Sequence, residues 1–165
     1  MKSSKHPDSK DLALCVALQE DAKLSLQKLG ERVGLSAQSV LERLRKLEAA
    51  GVIRGYYADV DARAVGLDVT AFIGVGIDTT LHLDDVERGL SRAPEVLECH
   101  HITGVHTLMV KVKTRNTATL ERLIREIRDM PGVQRTETMI VLSTHTERAS
   151  LHLPTAALHG AEEPR

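Results

Sequence analysis

From Ser25 to Gly51 the chain reads SLQKLGERVGLSAQSVLERLRKLEAAG, and this stretch decides the fold of the N-terminal part. Ser25 is placed to cap a helix, with Leu24 before it and Leu29 at the fourth helical position as an apolar staple. Gly34-Leu35-Ser36 then interrupts that helix, because Gly accepts the left-handed cap conformation and Ser36 can accept bonds from the next free N–H groups. Leu35 and Val40 form a second staple. The following helix is predicted over Ala37 to Ala50, with Val40, Leu44 and Leu47 turned toward a core and Gly51 ending it. Gly30 lies inside the earlier helix, where Gly costs about 1 kcal/mol relative to Ala. Its place between core positions Leu29 and Val33 predicts a close helix crossing.

Upstream, Leu12, Leu14, Cys15, Val16 and Leu18 predict a first helix that enters through Asp8 or Ser9 and leaves at Glu20-Asp21. Downstream, Val52 to Ala58 reads as a short strand, continuing as a connector through Val60 to Gly66. A helix, a short Gly turn and a second helix make the arrangement whose second member can lie in the DNA major groove. With Val40, Leu44 and Leu47 inward, solvent is left with Gln38, Ser39, Glu42, Arg43, Arg45 and Lys46. Gln and Arg suit bidentate contacts to base edges, while Ser36, Ser39, Lys46 and Arg54 suit phosphates. The competing explanation of the same residues is a solvated amphipathic helix.

Beyond Leu67 the periodicity changes to alternating runs broken by two helical segments. A strand is predicted over Ala71 to Asp78, with Ile73, Val75 and Ile77 on one face and Phe72, Gly74 and Gly76 on the other. A helix over Leu83 to Ala93 follows, then a strand from Val96 to Ile102, a turn at Gly104 and a strand around Leu108, Val110 and Val112. Asn116 or Thr117 caps another helix with the stripe Leu120, Leu123, Ile124 and Ile127. The last strand runs from Arg135 to Thr144. Pro94-Glu95-Val96 and Pro131-Gly132-Val133 end the two helices alike. The order βαββαβ is the ferredoxin-like split unit, whose sheet keeps one face free of helices; a second copy of the chain is its simplest cover. The expected class is therefore α+β: a helix-turn-helix, winged-helix-like unit over residues 1–63, a ferredoxin-like unit over 64–150, and a flexible tail over 151–165.

Composition narrows the function classes. The 165 residues are 42% hydrophobic and 27% charged, which suits folded cores rather than disorder. Val69 to Ile77 is strand-length, too short for a membrane span. Met1 to Lys10 lacks the apolar stretch of a secretory signal, so a cytoplasmic location is expected. Cys15 and Cys99 stand far apart, against a disulfide framework or a zinc knuckle. With no Trp, one Phe and two Tyr, stacking platforms for single strands are missing. The net charge of −1 divides into 11 Lys and Arg against 9 Asp and Glu through Arg63, hence +2, and 11 against 14 afterwards, hence −3. The positive part is the better polyanion binder.

The run Gly34 to Glu48, continuing through Gly51-Val52-Ile53-Arg54-Gly55-Tyr56, resembles the feast/famine, or Lrp/AsnC (leucine-responsive regulator), family of transcriptional regulators. Asp8, Asp11 and Asp21-Ala22-Lys23 match that family's opening helix, with Lys23 where Arg is usual and Gly30 where Ala is usual. The resemblance covers about Asp8 to Thr146 and implies sequence-specific binding to a double-stranded DNA operator. It also implies homodimers through the C-terminal sheets and higher assemblies such as octamers. A small effector, commonly an amino acid or related metabolite, is implied between dimers near the loop joining the second and third strands.

That loop is Thr103-Gly104-Val105-His106-Thr107. The family's acidic residues at the positions of Val105 and Thr107, suited to an ammonium group, are absent. A polar site from Gly104, Val105, His106, Thr107, Thr136 and Thr138 is the expectation, with an anionic or aromatic effector or a purely structural loop as alternatives. The eight histidines include His100-His101, which point to opposite faces of a strand and so do not form one metal site; no metal and no cofactor is expected. Siroheme decarboxylases resemble the same two-part architecture and supply the enzyme alternative. Against it, the helix-turn-helix is intact and the strand Leu108 to Lys113 lacks aromatic and Asn residues. A sensor without DNA binding would leave the outward helix face idle.

Overall fold

The computed structural model describes residues 6–78 and 82–153. They form two compact units: the chain passes from the first to the second between Asp59 and Val60, and returns to the first at Arg148. The crossing precedes the division expected at residue 63. Of the expected tail, Leu151 to Leu153 are described and the rest lies outside the described residues.

In the first unit, helices α1 (Ser9–Glu20), α2 (Leu26–Val33) and α3 (Ala37–Ala49) pack around Leu14, Ala17, Leu29, Val33, Val40 and Leu44. Asp8, Ser25 and Ser36 are the N-caps of these helices, each side chain accepting the backbone N–H of the third residue on. Gly34 sits at φ 65, the left-handed conformation that lets α2 stop and α3 start within three residues. The close approach expected at Gly30 is to the α2–α3 turn and not to a crossing helix: a Cβ there would lie 2.4 Å from the Leu35 carbonyl oxygen. Ala17 is buried beside Leu14 in α1, a core position the apolar pattern passed over. The strand expected over Val52 to Ala58 is not formed. Gly51 turns the chain at φ 71, Val52 and Ile53 donate back to the Leu47 carbonyl, and the rest is extended coil. A strand needs a neighbour to pair with, and among the described residues none lies alongside, so no wing follows α3.

The return segment lies against α1, where the Gln19 amide bonds both main-chain polar groups of Leu151, accepting from its N–H at 2.6 Å and donating to its carbonyl at 3.1 Å.

The second unit holds β1 (Val69–Ile77), α4 (Leu83–Arg92), β2 (Val96–His101), β3 (Leu108–Thr114), α5 (Thr117–Arg128) and β4 (Val133–Ile140), preceded by a 3-10 turn at Arg63–Val65. The sheet is antiparallel in the order β2-β3-β1-β4, the ferredoxin-like arrangement. Its helix-covered face buries Ala71, Ile73, Val75, Leu108, Val110 and Val112 against Val86, Leu90, Leu120, Leu123 and Ile127. Directly paired residues share a face, so Phe72 with Lys111 and Met139, and Gly74 with Met109 and Glu137, belong to the face without helices. There Lys111 and Lys113 both pair with Glu147, whose carboxyl the lysines hold below its ordinary pKa.

Candidate DNA interface and effector loop

On α3 the buried stripe Val40, Leu44 and Leu47 leaves Gln38, Glu42, Arg45 and Lys46 exposed on the far side of the helix. The Gln38 amide nitrogen donates to Glu42 at 3.4 Å, one turn on. Arg45, Lys46 and Arg54 have no ion-pair partner within 4 Å among the described residues. Ser36 is exposed at the helix start, where its hydroxyl accepts from Ser39 N–H at 3.2 Å and donates to the Ser39 hydroxyl at 3.0 Å. Arg54 lies exposed in the coil after α3.

Arg43 differs from the other residues expected on this face. Its Nη1 lies 2.7 Å from Asp8 Oδ2 and 2.7 Å from Asp11 Oδ1, both on α1, and its side chain is only 30% exposed. The three-residue step from Val40 puts Arg43 about 60° from the core stripe, on the flank of the helix rather than its crest. The guanidinium, through its hydrogen bond, holds the Asp8 carboxyl below its ordinary pKa, and the two carboxylates raise that of Arg43.

In the second unit the expected effector residues divide between the two faces of the sheet. Gly104 (φ 119) and Val105, 71% exposed, form the tip of the β2–β3 loop. His106 turns back over the sheet, its ring against Gly74, where a Cβ would come within 2.5 Å of it. Its Nε2 is 2.8 Å from Glu137 Oε2, and its side chain is 11% exposed. Thr107 is a structural anchor: its N–H donates to Val75 O at 2.9 Å and its hydroxyl accepts from Ile77 N–H at 3.3 Å. Thr136 and Thr138 pair with Val75 and Ile73, which places them on the helix-covered face. Arg128 of α5 donates to the Thr136 hydroxyl at 2.8 Å. They are not brought together with His106, because strand side chains alternate.

The residues that do join His106 are Arg135 and Glu137, which the sequence reading passed over. Arg135 packs across Gly76 and donates to the Val105 carbonyl, tying the loop tip to β4. The signal that could have found them was the alternation of β4 together with the two glycines of β1, which leave room for large side chains from the loop and the neighbouring strand. His100 pairs with Glu98 at 3.2 Å, away from His101 on the other face. Among the described residues no cluster of His, Cys, Asp and Glu is arranged to hold a metal ion, and no helix is long and apolar enough to cross a membrane.

Comparison with known proteins matches these two units separately. Residues 8–48 match the AsnC-type helix-turn-helix domain, and residues 70–151 match the Lrp/AsnC ligand binding domain. The HTH-type transcriptional regulator FL11 of Pyrococcus horikoshii is 35% identical over 144 residues, covering 87% of this chain and 95% of the relative. The regulator LrpA of Mycobacterium tuberculosis is 31% identical over 147 residues, covering 89% and 97%. Among solved structures, Escherichia coli AsnC superposes with a TM-score of 0.81 at 29% identity, covering 88% of this chain and 99% of that one. A feast or famine regulatory protein of M. tuberculosis complexed with L-methionine gives 0.83 at 32%, covering 90% and 100%. A Neisseria meningitidis transcriptional regulator in complex with L-methionine gives 0.82 at 30%, covering 92% and 98%. With both units matched in order and relatives aligned along nearly their whole length, the chain belongs to the Lrp/AsnC family of transcriptional regulators.

Proposed function

We propose that this chain is a sequence-specific DNA-binding regulator whose operator affinity responds to a small effector, an amino acid or related metabolite. The observation that carries the proposal is the far face of α3, where Gln38, Glu42, Arg45 and Lys46 stand exposed and neither cation has an ion-pair partner among the described residues. Gln38 offers a donor and an acceptor to base edges and Arg45 a fork of donors; Ser36, Ser39, Lys46 and Arg54 suit phosphates. Arg43, engaged by Asp8 and Asp11, is left out of this set. The names of the relatives support a regulator rather than an enzyme, and the two methionine complexes support an amino-acid effector.

The assembly proposed is a homodimer that can build octamers. Phe72 and the half-exposed Met139, on the sheet face without helices, support a second copy as cover. An effector shifts operator affinity only by binding two assemblies unequally. The effector loop proposed is Gly104, Val105 and His106 with Arg135 and Glu137; Thr107 holds its base.

Selection from a random duplex library with the full chain tests this directly. The expected result is an enriched motif of two related half-sites, with Gln38→Ala relaxing the choice at one position per half-site by about 1–3 kcal/mol. Adding single amino acids should then shift the affinity for the selected duplex. Recovery of no motif would remove the DNA-reading proposal, and a motif indifferent to every amino acid tried would remove the proposed effector class.

A further inference from the structure

We propose that Arg43 serves DNA recognition as a positioning residue, locking the reading helix α3 to the capping box of α1 instead of touching DNA itself. The inference rests on the proposal that α3 is the reading helix. Its observation is how four carboxylate oxygens are shared out. Asp8 Oδ1 accepts the Asp11 N–H at 2.9 Å and Asp11 Oδ2 accepts the Asp8 N–H at 3.1 Å, which completes the box that starts α1. The remaining oxygens, Asp8 Oδ2 and Asp11 Oδ1, both receive Arg43 Nη1 at 2.7 Å. One nitrogen of α3 is thus held by two carboxylates whose own orientations are fixed by the backbone they cap.

Two physical consequences follow. Charge-assisted bonds of this length are directional, so the pair resists rotation of α3 about its own axis, the motion that would swing Gln38 and Arg45 away from base edges. The Leu44 and Val40 packing alone is less specific about that rotation, since apolar contacts are not directional. The cluster also carries two negative charges against one positive. A phosphate brought to Arg43 would meet Asp8, 53% exposed, so this flank repels the DNA backbone while Arg45 and Lys46 attract it.

The test uses the full chain and the duplex obtained by selection, with affinity measured by anisotropy across a salt series. If the wild type selects no duplex, the reading-helix proposal fails and this one falls with it; when a duplex is selected, the variants below separate the two possibilities for Arg43. Asp8→Asn with Asp11→Asn keeps oxygens that can cap α1 while removing the charge that holds Arg43. A positioning role predicts that this double variant and Arg43→Ala each weaken binding to the selected duplex by about tenfold, the scale of one charge-assisted contact. Combining all three changes should weaken it no further, because the groups act as one unit. The salt slope and the affinity for unrelated duplex should stay at wild-type values, which also shows that the head is folded. A direct phosphate contact predicts the opposite: Arg43→Ala lowers the salt slope by about one, and removing the two carboxylates strengthens binding. That pattern, or wild-type affinity in every variant, overturns the proposal.

Discussion

Replacing Ser36 separates the folding of the reading helix from its contact with DNA. The Ser36 hydroxyl accepts one backbone N–H of α3, from Ser39 at 3.2 Å, and is exposed, so its loss leaves a donor that water can reach. Ser36→Ala should therefore cost the first unit about 1 kcal/mol, as for other N-cap truncations. In a unit of this size that lowers Tm by roughly 4–8 °C. Ser36→Asp restores an acceptor at the same position and adds a charge favoured by the helix dipole, for about 0.3–1 kcal/mol in the stabilising direction. The same carboxylate faces the DNA backbone if α3 docks by its N-terminus. At about 6 Å from a phosphate and an effective dielectric of 20, the repulsion is about 3 kcal/mol, or roughly a hundredfold in affinity. The two tyrosines, Tyr56 and Tyr57, both belong to the first unit, and Tyr56 bonds Glu48 of α3 at 2.8 Å. Tyrosine near-UV dichroism thus follows melting of that unit alone, which matters because two units need not unfold together. A stable Ser36→Asp variant with wild-type DNA affinity would refute the docking, and a Ser36→Ala variant with unchanged Tm would refute the cap.

Three further predictions concern other parts of the chain. Burial, and then the bond to Glu48, push the Tyr56 phenol up to about 12. Its folded value exceeds the ordinary 10, so the stabilisation is complete below pH 10 and is lost as pH rises toward 12. Ultraviolet titration of a Tyr57→Phe variant checks the midpoint, and a midpoint near 10 would contradict it. Gln19→Ala should free the 148–153 segment from α1 and speed tryptic cleavage after Arg148 several-fold, since cleavage follows local opening; an unchanged rate would show that the Gln19 amide does not hold it. Gly74→Ala brings a Cβ within 2.7 Å of three His106 ring atoms, so His106 must leave Glu137 at a cost of about 1–3 kcal/mol to the second unit. Unmoved His106 imidazole resonances in the variant would exclude that displacement.

What could be read from sequence was what is local. The caps Ser25, Ser36 and Asn116, the stripe Val40, Leu44 and Leu47, and the close approach at Gly30 all depend on residues within one turn of each other or one helix away. The ferredoxin-like order followed from two helix stops and the change of period. Arg43 was legible only as an exposed basic residue, because its partners lie 35 and 32 residues earlier and their reach depends on how α1 crosses α3. Thr136 and Thr138 were assigned to the effector site through the resemblance, without the strand register that sends them to the helix side. The Val52 to Ala58 segment has strand-like residues, but pairing is a property of two strands, and local composition is silent about the second.

The ion pairs also change what the charge of the first unit means. Through Arg63 the chain is +2, yet Arg43 is spent on Asp8 and Asp11, and Arg32 pairs with Glu20 at 2.8 Å. Among the described residues, the cations of the proposed DNA-reading set without an ion pair are Arg45, Lys46 and Arg54, with Glu42 on the same helix face. Binding strength in salt scales with the number of phosphates neutralised, with a slope of about −0.9 per contact. Three cations give a single head few phosphate contacts and little counterion release, whereas operator affinities need more of both. Pairing two heads doubles the contacts without making either unit basic, and it demands that both half-sites be present together. In the proposed dimer a near-neutral chain is then no obstacle to DNA recognition: a head whose Arg43 is held by Asp8 and Asp11 would gain selectivity from being used twice.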